Sequence, residues 1–244
     1  MDLYFGRAVD EDDDDDENND DAEDEDEDGE EGVQEYEKKR WNLNARFRDD
    51  HSDDQLRPET FDLINSRLLA DGINATRWPS YIKDLKHMLK HGGWLQMVEI
   101  EFFIQSSTGR LGDNSHLTRW WQWYSHMMQT LGKNPRIGRD LRRYLQAEDF
   151  AHIQGGTIDL PIGPWRDGEQ HMMSLKCLQP SANSSAGQES LGEDNLENVR
   201  QTLVSLSLWP FLRIGGMSQE NYRALIAGAI AELRDPNLKL YYRV

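Results

Sequence analysis

The chain has 244 residues, with 27 Lys and Arg against 45 Asp and Glu, a formal net charge of −18 and a single cysteine, Cys177. One cysteine forbids an intrachain disulfide, and acids in such excess without clustered bases argue against direct contact with nucleic-acid phosphates. No apolar run of about 18 residues is present, and the opening MDLYFGRAVDED has neither a basic start nor an apolar core. Neither a membrane span nor a secretory leader is therefore expected, and the chain reads as intracellular, cytoplasmic or nuclear.

The charge is concentrated at the N-terminus. Asp10–Glu31 holds 18 acids and no Lys or Arg, which leaves 27 acids against 27 bases in the rest of the chain. Such a block cannot bury enough apolar surface to offset the entropy of ordering, so residues 1–40 are predicted to be disordered and residues 41–244 to form the globular body. The acidic segment reads either as a solvating tail or as an arm for basic partners such as histone tails.

Trp41–Phe47 is a candidate first strand. Thr60 to Glu101 then reads as one βαβ unit: a short apolar strand at Phe61–Ile64, an amphipathic helix and a second strand over Trp94–Phe103. Tyr81, Ile82, Leu85, Met88 and Leu89 recur at helical spacing, Pro79 suits a first turn, and Gly92-Gly93 supplies the helix stop. A crossover of this length implies parallel neighbouring strands. Ligands of such sheets sit at the carboxyl ends of the strands, here Asn65–Ile73 and Glu99–Phe103.

Leu117, Trp120, Trp121, Tyr124, Met127, Met128 and Leu131 form a broad aromatic stripe, with Asn114 or Ser115 placed to cap its helix. The stripe over residues 115–131 either covers the sheet or presents a partner surface. A helix over Ile137–Ala147 and a strand over Ala151–Leu160 follow. Pro161, Gly163 and Pro164 make a stiff turn that would hold Trp165 over a pocket. Residues 179–193, polar and rich in Gly and Ser, read as a flexible insertion. Helices are predicted from Leu196 to Leu208 and after Ser218, with Tyr222, Leu225, Ile226, Ala229, Ile230 and Leu233 on one face. Residues 238–244 alternate as a strand with Leu238, Leu240, Tyr242 and Val244 on one side; left unpaired, it would be an edge that invites another chain.

The blocks TFDLINSRLLADGI (Thr60–Ile73), WPSYIKDLKHMLKHGGWLQMVEIEF (Trp78–Phe102) and LPIGPW (Leu160–Trp165), in that order, resemble the central and C-terminal part of the fungal LaeA-like methyltransferases, over roughly Asn42 to Val244. The resemblance implies an α/β fold, a partial Rossmann-like class I methyltransferase sheet with added helices, and S-adenosylmethionine as cofactor. Several members of the family are linked to control of secondary metabolism and development. Matching positions place Asp49 and Asp50 at the cofactor adenine, and Ser66, Arg67 and Leu68 along its methionine end. Arg67 matches a family arginine that would pair with the cofactor's carboxylate, the competing reading being an ion pair with Asp62 or Asp71. Glu99 matches a family glutamate that would orient a methyl acceptor, and Asp49-Asp50 reads equally as solvated surface acid.

The acidic, glycine-rich loop that ends the first strand of such enzymes has no counterpart upstream of Asn42, and the family usually continues into one more antiparallel strand beyond Val244. The chain thus reads as a domain without its first βα units and last strand, and weak or no S-adenosylmethionine binding is expected of it. Methyl transfer from a sulfonium is an in-line displacement that needs positioning rather than an acid-base dyad, so no catalytic residue is assigned. His87 and His91 lack the neighbours of a zinc site, and no metal is expected. No P-loop or G-x-S-x-G is present. Two classes remain: a methyltransferase acting on a small-molecule or protein acceptor, and an inactive methyltransferase-like module that binds partners through its acidic arm, aromatic helix or edge strand.

Overall fold

The computed structural model describes residues 40–47, 57–163, 165 and 185–244, with side chains of the last segment described from residue 192. The predicted disordered segment 1–40, apart from Arg40, and the Asp49-Asp50 pair lie outside these residues.

The predicted βαβ unit forms, except that its second strand, expected over Trp94–Phe103, ends at Val98, and residues 101–103 open a strand of another sheet. Strand β1 (Phe61–Arg67) pairs in parallel with β2 (Leu89–Val98), in a register that runs from Leu63 opposite Trp94 to Arg67 opposite Val98. Between them α1 (Trp78–Met88) carries Pro79 in its first turn and buries Trp78, Tyr81, Ile82, Leu85 and Met88. These positions recur every three or four residues and so share one helix face.

The glycine pair does not stop this helix. Leu89 already turns extended, at φ −71° and ψ 137°, and Gly92 and Gly93 lie inside β2. Their role is a bulge: β2 advances from Leu89 to Trp94 while β1 advances only from Phe61 to Leu63. A Cβ on Gly93 would come within 3.0 Å of the carbonyl oxygens of both Phe61 and Lys90, so the two strands approach there only because Gly93 has none. Trp41–Phe47 is a turn instead of a strand. Asn42 and Asn44 explain this, since short amide side chains compete for backbone groups: Asn44 N–H donates to Asn42 Oδ1 at 3.0 Å, and Ala45 N–H to Asn42 O at 2.9 Å.

A second sheet holds β3 (Glu101–Ser106), β4 (Asp159–Pro161) and β5 (Leu240–Arg243) in the order β3-β5-β4, all antiparallel. The strand expected over residues 238–244 shortens to Leu240–Arg243, because Pro236–Leu238 form a 3-10 turn, and it is the centre of its sheet instead of an edge. Both sides of its backbone are paired, and Leu240, Tyr242 and Val244 are buried. The strand expected over Ala151–Leu160 shrinks to Asp159–Pro161, after Gly155-Gly156, residues that lose most entropy in an extended ladder.

Helix α2 (His116–Thr130) starts at Ser115, whose hydroxyl accepts from Thr118 N–H at 3.1 Å. Its aromatic stripe is core. Leu117, Trp120, Trp121, Tyr124, Met127 and Met128 are all buried, and Trp120 stacks on Tyr124 at 5.0 Å. Helix α3 (Gly138–Ala147) packs Leu141 and Leu145 with α1. Helix α4 (Ser185–Trp209) begins well before Leu196, so residues 185–193 of the predicted insertion are helical; Ala186, Gln188, Glu189, Leu191 and Glu193 are good helix formers that outweigh Gly187 and Gly192. Residues 179–184 lie outside the described residues. A π-turn at Pro210–Ile214 follows, then α5 (Gln219–Leu233), capped by Ser218 as predicted.

Two apolar clusters result, one around α1, α3 and the parallel pair, the other around α2, α4, α5 and the antiparallel sheet. Among the described residues no helix is long and apolar enough to cross a membrane.

Candidate functional site at the strand ends

The carboxyl ends of β1 and β2 meet through one side chain. Glu99, the residue after β2, is buried, and its two oxygens accept from the backbone N–H groups of Leu69 (2.9 Å) and Ala70 (3.0 Å) in the loop after β1. Leu68, which opens that loop, has φ +57°, a left-handed conformation that costs a bulky residue on the order of 1–3 kcal/mol. It is held there by its own N–H, which donates to Val98 O at 2.8 Å, and by the Glu99 clamp on the next two residues. Backbone strain of this kind, at the ligand-binding end of a parallel pair, marks a loop shaped for more than connection.

Burial pushes the Glu99 carboxyl up to about 7, against the pull of the two N–H donors, and the Asp71 carboxylate adds to the rise. Asp71 is itself raised by burial, although the Tyr124 hydroxyl donates to its Oδ1 at 2.5 Å and Lys133 lies close enough to oppose the shift. Tyr124 is raised too, first by burial and then by Asp71. A carboxyl held at about 7 in the fold and near its ordinary value of 4.5 when unfolded binds its proton more tightly in the native state. Its contribution to stability is therefore complete below pH 4.5 and is lost as the pH rises through 7, about 3 kcal/mol in all. The stability difference between the native chain and Glu99→Gln should shrink by about that amount between pH 4.5 and 7.5. Denaturant titrations of both proteins at several pH values measure it, and parallel stability curves would show that Glu99 does not titrate in this range.

Ser66, Arg67 and Leu68 stand together at the end of β1. Ser66 is buried and its hydroxyl lies 3.2 Å from Tyr81 Oη. Arg67 is exposed; its Nε donates to Asn65 Oδ1 at 2.7 Å and its Nη2 to Gln96 Oε1 at 3.4 Å. It pairs with neither Asp62, which holds Lys90 at 2.8 Å, nor Asp71. Leu68 is 58% exposed. Trp165 lies elsewhere, its indole N–H donating to Leu240 O on β5 at 2.7 Å, where it ties the PIGPW turn to the antiparallel sheet.

Glu99 also borders a cleft of about 220 Å³ lined by Glu101, Arg136, Arg139, Thr157 and Arg243. Its cations are matched by acids: Arg139 Nη2 reaches Glu101 Oε2 at 2.8 Å, Arg136 Nε lies 3.0 Å from Glu101 Oε1, and Arg243 Nε lies 3.1 Å from Asp159 Oδ1. Sequence reasoning placed Asp71 and Glu101 within the strand-end segments but missed Tyr124 and these arginines as their neighbours. Tyr124 was visible only as one member of an apolar stripe, and no spacing links it to Asp71, 53 residues away.

No family profile matches the chain. It is 24% identical over 190 residues to the secondary metabolism regulator laeA of Monascus pilosus, covering 76% of this chain and 46% of that protein. It is 23% identical over 184 residues to the protein-methionine methyltransferase laeA of Emericella nidulans, covering 75% and 44%. With the methyltransferase pytC of Aspergillus terreus it shares 26% over 123 residues, 50% of this chain and 37% of that one. The chain thus spans less than half the length of these curated relatives.

Proposed function

We propose that the chain is a LaeA-like methyltransferase that serves methyl transfer from S-adenosylmethionine in fungal secondary metabolism or its regulation. The observation that carries this reading is the coincidence of two things: similarity to regulators and methyltransferases over half to three quarters of the chain, and a strained loop clamped at the carboxyl end of a parallel strand pair.

S-adenosylmethionine supplies an electrophilic methyl group on a sulfonium. On this chain Arg67, exposed and held in plane by Asn65 and Gln96, would pair with the cofactor's carboxylate, and the exposed Leu68 side chain would lie against its apolar part. Glu99 fixes the loop that presents both. The alternative of an inactive partner-binding module is less favoured, since the apolar stripe of α2 is buried and the last strand is internal to its sheet.

The described residues offer one side of such a site, so affinity for S-adenosylmethionine should be low, with Kd no better than about 1 mM, or roughly −4 kcal/mol. Saturation-transfer NMR reads binding in that range. Transfer to the cofactor that is abolished in Arg67→Ala is the expected result. No transfer at several times this concentration, or transfer indifferent to Arg67, would remove the assignment.

A further inference from the structure

A cleft outside the strand ends lies in the helical half. It has a volume of about 630 Å³ and lies between the N-terminal half of α2 and the turn that enters α5, lined by His116, Arg119, Trp123, Met217, Asn221 and Leu225 together with small residues. Two glycines make room for the two rings on its wall. A Cβ on Gly215 would stand 2.8 Å from Trp123 Cζ3, and one on Gly228 would stand 2.3 Å from His116 Cδ2. Gly228 sits in the interior of α5, where glycine costs about 1 kcal/mol against alanine. The cost is explained by the His116 ring, which packs on the bare backbone while its Nδ1 lies 3.0 Å from Glu232 Oε1.

The chemistry of the wall is specific. No acidic residue lines the cleft, and its cation Arg119 is exposed and in no ion pair among the described residues. Trp123 is half-buried, braced at 6.0 Å on Phe211. Arg119 and Trp123 are four residues apart on α2, hence on one face with Cβ atoms about 5–6 Å apart. A ligand ring on Trp123 therefore lies within reach of the flexible Arg119 side chain. Met217 and Leu225 add apolar contact, and Asn221 a polar one.

We propose that this cleft is a second ligand site, separate from the strand ends, for a planar aromatic carboxylate whose ring packs on Trp123 and whose carboxylate pairs with Arg119. The volume is in the range of small-molecule sites, and an aromatic wall with few polar groups is their usual composition.

The test is calorimetric titration of 2-naphthoate into the full chain. A Kd on the order of 100 µM is expected at ordinary small-ligand efficiency. Arg119→Gln should weaken it about tenfold or more, and the neutral analogue 2-naphthamide should bind the native chain about as weakly as 2-naphthoate binds that variant. Trp123→Leu should weaken both ligands alike. Arg119 is exposed, so its replacement leaves the fold intact, which the circular dichroism melt checks. Affinity poorer than about 5 mM, affinity unchanged in Arg119→Gln, or an equal loss in the remote control Arg110→Gln overturns the proposal.

Discussion

Asp84→Ala should destabilise the chain by about 3–5 kcal/mol, because it strands a buried guanidinium. Arg77 Nη2 lies 2.6 Å from Asp84 Oδ2, and the two side chains are 7% and 4% exposed. The same guanidinium donates to Ala45 O at 2.8 Å, Leu43 O at 3.1 Å and Ser80 Oγ at 2.8 Å, and lies 5.6 Å from the Phe47 ring and 5.8 Å from that of Tyr81. Asp84 is the one acid in this cluster, so its removal leaves a cation that cannot be released by deprotonation. The damage should spread to the candidate site. The turn that Arg77 holds carries Asn44, whose side chain accepts from Asn74 N–H at 2.7 Å and donates to Gly72 O at 2.9 Å, bracing the end of the strained loop. Urea denaturation measures the loss. The double replacement Arg77→Met with Asp84→Leu should recover much of it, since a buried pair adds little over apolar residues of similar volume. A single-mutant loss below about 1 kcal/mol would show that water reaches the guanidinium and that the pair is not sealed.

Leu85→Ala should cost about 2–5 kcal/mol, the range for a buried leucine whose surroundings cannot collapse. Leu85 is 3% exposed on the face of α1 that meets β2, among Ile82, Leu89, Leu95 and Met97 of the same cluster. One helical face carries the whole contact between α1 and the parallel pair, so the cavity opens where the βαβ unit is held together. A loss below about 0.5 kcal/mol would put Leu85 on the surface and displace the helix register.

The βαβ unit was legible because its signals are local. Tyr81, Ile82, Leu85 and Met88 recur at helical spacing, Pro79 sits in the first turn, and the crossover length admits only a parallel neighbour. The caps at Ser115 and Ser218 were legible for the same reason, since a cap is a contact between a side chain and a backbone three residues on. The glycine pair misled. Gly92-Gly93 has the look of a helix stop, but it serves a close approach between strands that only pairing creates. The last strand misled likewise, because alternation in residues 238–244 reports a buried face and says nothing of which neighbours flank it.

The amino-acid sequence by itself carried the resemblance to LaeA-like methyltransferases, the parallel strand pair with its crossover helix, and the positions Ser66, Arg67, Leu68 and Glu99 at the strand ends. These depend on period, spacing and order along the chain. The tertiary structure alone decided which groups surround those positions. It set both oxygens of Glu99 against the N–H groups of Leu69 and Ala70, gave Asp71 to Tyr124, buried the aromatic stripe and set Arg77 against Asp84. The physical reason is that a carboxylate's partner and its proton affinity follow from burial and from groups many residues away, and neither is written in the residues beside it.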